Sequence, residues 1–161
     1  MKDQQITIRG CILCIGDGVK NDTFTNPNKN IGEINHYIFP LLGSGSVSNG
    51  QQTLLLEEGK LTDLTAFVGN KIHYQVKQKS EWVAFNSLLE RTMNINIITE
   101  TPSNLYQNDL EETIFVVLKG EATINEKSLL PFKSGRLFRN NKANIILSEN
   151  SILAAITFKK E

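Results

Sequence analysis

Thr113-Ile114-Phe115-Val116-Val117-Leu118, then Lys119-Gly120-Glu121, then Ala122-Thr123-Ile124 with a second turn at Asn125-Glu126-Lys127, is the stretch that decides the fold class of this chain. An unbroken run of β-branched and apolar residues this short reads as a strand buried on both faces, and it is too brief for a helix. Lys-Gly-Glu supplies the turn and Ala-Thr-Ile answers as the partner strand. Outward toward the C-terminus the same grammar repeats. Ser128 to Phe132, Leu137-Phe138, Asn144 to Leu147 and Ile152 to Phe158 are short apolar runs, separated by Ser134-Gly135 and Glu149-Asn150. Toward the N-terminus, Asn94 to Thr99 and Trp82 to Asn86 continue the series. Ile72-His73-Tyr74-Gln75-Val76 alternates with period two, setting Ile72, Tyr74 and Val76 on one face and His73 and Gln75 on the other.

Farther upstream, Leu61 to Phe67 breaks at Gly69-Asn70, and Thr53 to Leu56 stops at the turn Glu57-Glu58-Gly59-Lys60. His36 to Phe39 is expected to end at Pro40, and the pair Ile6 to Ile15 to stop at Gly16-Asp17-Gly18. Asn21 to Asn30 (NDTFTNPNKN) reads as an exposed loop, and Gly43 to Gly50 (GSGSVSNG) as a flexible segment unfit for a central strand. Ser87 to Arg91 has room for a single helical turn, which has no stability of its own. Sustained 3.6-residue periodicity is absent throughout. Many short strands with Gly and Asn punctuation specify an all-β sandwich or barrel.

Composition narrows the function classes. The chain has 161 residues, with 17 basic against 17 acidic side chains, so no field of one sign is available to hold nucleic acid or an anionic membrane. The apolar run at Cys11 to Ile15 is shorter than a secretory core segment, and no stretch approaches the roughly 20 apolar residues of a membrane span. The expectation is a cytoplasmic protein without nucleic-acid or membrane partners. Its two cysteines, Cys11 and Cys14, fall three apart on a strand-like run, which turns their sulfurs to opposite faces, so they read as small apolar strand residues.

Sites of known chemistry are scarce. His36 and His73 are the only histidines, with no H-x-H or H-x-x-x-H spacing, so neither a metal nor any other cofactor is expected. Gly43-Ser44-Gly45-Ser46 lacks the spacing of a nucleophile elbow, and no phosphate-cradling glycine motif occurs. Arg136 and Arg139 beside Phe138, Asn140 and Asn141 form a small basic patch, read first as the solvated, charged edge of a hairpin and second as a holder of an anion by charge-assisted hydrogen bonds.

The string Val117 to Ile124, with Leu129-Leu130, Gly135 and a closing strand, resembles a cupin half-barrel, where one Gly lets the chain double back and another marks a corner. Leu64 to Phe158 is similar to the HutD/Ves family of two-cupin proteins. Phe67, Gly69, Phe85 and Asn86 match that family's Phe-rich strand and Asp-Phe-Asn segment, with Ala84, Leu88 and Asn70 in place of its acid, Met and Asp. In the N-terminal half, Gly50 and Leu54 to Gly59 correspond to a family strand from which an Arg and a following hairpin are missing.

The resemblance implies an all-β, cupin-like (RmlC-like) sandwich or barrel. It would form one domain over 1–161 or, as a compact bicupin, halves 1–100 and 101–161. It also implies a metal-free module that binds a small polar metabolite inside or between half-barrels and serves as a sensor or accessory protein. Residues flanking the family-like segment are the expected ligand contacts: His73, Tyr74, Trp82, Asn86 and Arg91. Asn offers donors and an acceptor, and Arg would take a carboxylate. Two alternatives stand beside this reading. One is an isomerase or lyase using His73 with a carboxylate as acid and base; the other is a sandwich that forms a homodimer through its strand edges.

Overall fold

The computed structural model describes residues 4–8, 11–18, 21–25, 36–64, 71–76, 80–87, 92–108 and 112–159. These residues are all strand, turn and irregular chain, without a helix. The chain divides into two compact units, Met1–Arg91 and Thr92–Glu161.

The first unit is built from two antiparallel sheets. One has the order β1 (Gln4–Ile8), β2 (Cys11–Gly18), β9 (Ser80–Ser87), β4 (His36–Leu42), β7 (Thr62–Asp63). The other runs β3 (Asn21–Thr25), β8 (Lys71–Val76), β5 (Gly45–Ser48), β6 (Thr53–Leu56). Ile38 of β4 packs with Val47 of β5, Leu56 of β6 and the loop residue Leu64, and half-buried Trp82 and Leu54 close the cluster. That cluster draws residues from both sheets, so their inner faces are those bearing Ile38 and Trp82 on one side and Val47 on the other. Each such aliphatic side chain contributes about 1.5–3 kcal/mol when removed from water.

The second unit centres on the sheet β10 (Thr92–Ile98), β18 (Ile152–Lys159), β12 (Thr113–Lys119), β15 (Ser134–Leu137). Beside it stand the three-stranded sheet β14 (Lys127–Leu129), β13 (Ala122–Ile124), β17 (Ile145–Leu147) and the pair β11 (Tyr106–Gln107), β16 (Lys142–Ala143). Every residue of β12 from Thr113 to Leu118 is buried, as its unbroken apolar run predicts. Phe115, Val117, Leu153 and Ala155 face Ala122, Leu129 and Ile145 in one core, and the Tyr106 ring meets Phe115 edge-on at 5.2 Å. Gly120 turns the chain with φ +76°, a value L-residues rarely adopt. Gly135 does not sit at a corner: it lies within β15 opposite Phe115, where Leu129 comes close. Corners are instead turned at Asn125 and Glu126, and at Phe132 behind Pro131, all with positive φ.

Four local expectations are overturned. Asn21–Thr25 is strand β3, paired along its length with β8. Gly45–Ser48 is a central strand between β6 and β8, because Val47 is fully buried and the flanking serines need only their backbone to join the ladder. Gly16-Asp17-Gly18 stays in β2, paired with Trp82, Glu81 and Ser80. β4 continues past Pro40 to Leu42 through a bulge at Leu41. In each case a long neighbouring strand offers backbone partners that outweigh the local propensity. Residues 88–91, where a helical turn was expected, lie outside the described residues.

Candidate functional site

The end of the first unit's sandwich is shaped by Pro40. Proline has no N–H to give, and strand prolines settle at edges and bulges. Here Pro40 pairs with Trp82 and Leu42 with Glu81, leaving Leu41 as the extra residue. The bulge bends β4 into the turn Gly43-Ser44, where Gly43 takes φ +80°. The next turn locks it in place. Gly59 N donates to the Pro40 carbonyl at 2.9 Å, and Gly43 N donates to Glu58 Oε2 at 3.0 Å.

A shallow groove with room for about one water molecule opens at this end. Ile38, Pro40 and Leu42 of β4 form one wall, and Gly43-Ser44-Gly45 with Leu56 forms another. Glu81 and Trp82 of β9 complete it. The indole is half-buried against the core, and the surface of the groove is almost wholly apolar. Such a surface offers apolar contact.

Strand register locates the residues singled out from sequence. Tyr74 lies opposite Val47, so position 74 shares the inner face of its sheet. Asn86 lies opposite His36 and, two and four residues beyond Ala84 and Trp82, on the inner face of the other sheet. His73, opposite Ser48 and Thr23, takes the outer face. Arg91 lies outside the described residues. Of the five, Trp82 lines the groove. Glu81, Ser44 and the glycines around it were missed; the Pro40 to Gly45 run, a proline followed by glycines beside an apolar strand, is the signal that pointed there.

In the second unit the basic patch is already occupied. The Arg136 guanidinium forms an ion pair with Glu112, with Nη2 donating to Oε2 at 2.9 Å, and stacks 4.2 Å from the exposed Phe138 ring. Among the described residues, no three His, Cys, Asp or Glu side chains group as metal ligands do, and no helix is long and apolar enough to cross a membrane.

Solved structures place this geometry. HutD from Pseudomonas fluorescens SBW25 is similar over 94% of this chain and 80% of its own, at 11% identity and TM-score 0.67. The chain has a HutD-like cupin fold. A cupin 2 conserved barrel domain protein from Leptotrichia buccalis is similar over 98% and 88%, at 12% identity and TM-score 0.59. The bacterial pirin YhhW from Escherichia coli, solved in complex with nickel(II), is similar over 94% and 82%, at 8% identity and TM-score 0.67. No protein-family model matches the chain, and no curated protein matches it in sequence. At these identities the likeness is one of cupin architecture, which hosts many functions.

Proposed function

We propose that this chain is a cytoplasmic, metal-free, cupin-like module that binds a small polar metabolite and acts as a sensor or accessory protein rather than an enzyme. The observation that carries the reading is the shallow apolar groove at the bulged end of β4, lined by Trp82 and the Pro40 to Gly45 turn. Tyr74 and Asn86, singled out from the sequence, are the further contacts of this reading. The paucity of imidazole supports a site without metal.

The protein contains one tryptophan, which makes the site self-reporting. A metabolite that fills the groove will change Trp82 emission saturably. It will also raise Tm by mass action, with about 2.7 kcal/mol of added stability at a hundredfold excess over Kd. A broad panel of small acids, amines, amides and sugars that moves neither emission nor Tm would remove the reading.

A further inference from the structure

The turn from β5 to β6 holds the only Asn-Gly pair of the chain, Asn49-Gly50. In such a pair the backbone nitrogen of the glycine can attack the asparagine side-chain carbonyl carbon, because no Cβ crowds the approach. The new N–C bond closes a cyclic imide while ammonia leaves with the nitrogen's proton. Water then adds to either imide carbonyl and opens the ring to aspartate or isoaspartate, with no oxidant or reductant involved. The turn is arranged to hold this reaction back. Gly50 takes φ +90°, with open space where a Cβ would stand. Its N–H, the nucleophile, donates to Ser48 Oγ at 3.1 Å. Asn49 Oδ1 accepts the N–H of Gln51 at 3.0 Å and that of Gln52 at 2.7 Å, which ties the amide to the residues beyond Gly50. Asn49 N donates to the Gln52 carbonyl at 3.1 Å and closes the loop. Ser48 itself is fixed by its strand, opposite Thr53 and next to fully buried Val47. We propose that Asn49 is a deamidation site latched by the folded hairpin, with Ser48 as the positioning residue that holds the nucleophile away. Gly50 to Gln52 are exposed, so water reaches the loop, and local fraying of the hairpin tip is enough to release the latch. An aspartate at position 49 keeps an acceptor for Gln51 and Gln52, whereas isoaspartate lengthens the main chain by a methylene and no longer fits the tight loop. The modification thus records how often the hairpin has opened.

The full chain, incubated in mildly alkaline buffer, tests this by peptide mass spectrometry of residue 49, with aspartyl and isoaspartyl products separated by chromatography. Reaction should be slow in the folded protein and fastest in concentrated urea. Ser48→Ala should raise the folded-state rate about two- to ten-fold, the effect of losing one hydrogen bond. Ser48→Thr keeps the hydroxyl and should react at the parent's rate, which separates the latch from a general loss of stability. Asn49 surviving intact in urea would overturn the site. Equal rates in the folded protein and in urea would overturn protection by the hairpin, a comparison that needs no variant. Ser48→Ala reacting no faster than the parent, or Ser48→Thr reacting as fast as Ser48→Ala, would overturn the latch.

Discussion

Gly120 shows how much one backbone position carries. A Cβ there would stand 2.8 Å from Ser151 Cβ and 2.9 Å from its Cα, and the residue would have to hold φ +76°. The crowding has a purpose. Buried Ser151 comes this close so that its Oγ can accept the Glu121 N–H at 3.0 Å, tying the β12–β13 turn to the start of β18. Gly120→Ala incurs both left-handed backbone strain and overpacking, and is expected to cost about 2–4 kcal/mol. A urea denaturation midpoint falling at unchanged m-value will show it; an unchanged midpoint would mean the turn relaxes freely. This glycine was legible in the sequence, because a Lys-Gly-Glu between two apolar runs has few other uses. Gly135 was not, since a glycine reserved for close packing against Leu129 looks the same in sequence as one reserved for a corner. Likewise Phe132 holds φ +62° at a position where glycine would be unstrained, a conflict visible only once the turn is built.

Elements record the contest between local preference and neighbours. The apolar, β-branched strands β12 and β18 declare themselves because burial on both faces demands such residues. β5 and β3 do not: Ser-Val-Ser and Asn-Asp-Thr-Phe-Thr become strands because β8 supplies backbone partners to both. The cross-strand pair of β4 and β7 carries a testable charge effect. Tyr37 lies opposite Asp63, and partial burial followed by the carboxylate's field raises the Tyr37 hydroxyl above its usual value of 10.0. The folded state therefore holds this proton more firmly than the unfolded chain does. Its contribution is complete below a pH of about 10 and is lost as pH climbs through the higher folded value. Tyr37→Phe should flatten the fall of stability across that alkaline range, measured as urea midpoints at rising pH. A variant that loses stability as steeply as the parent would place the alkaline sensitivity elsewhere.

At the scale of the molecule, each unit closes its own core, and closure leaves strand edges to manage. Among the described residues β6 is the edge strand of its sheet, and its Leu55 is 72% exposed. An uncovered leucine on a free ladder invites pairing with a second copy, the reading under which this chain is a homodimer. Light scattering at high concentration should then report twice the 18.0 kDa chain mass, and Leu55→Lys should return it to the monomer. A monomer in both proteins would remove the dimer. The groove shows the same division of information. Trp82 stood out in the sequence as the one tryptophan beside a family-like segment, whereas Glu81 and Ser44 are common surface residues that come to line one groove only when a bulge at Leu41 and a turn at Gly43 bring three chain segments together.

From residue order alone came the class of structure: brief extended segments, punctuated by glycine and asparagine. Those properties are local or additive, so counting and alternation recover them. Which serine-rich stretch would become a central strand, which face His73 would take, and where proline would open a groove were decided by pairing between distant segments. Register is a relation between two strands and cannot be read from either one. A shift of a single residue exchanges every inward position for an outward one.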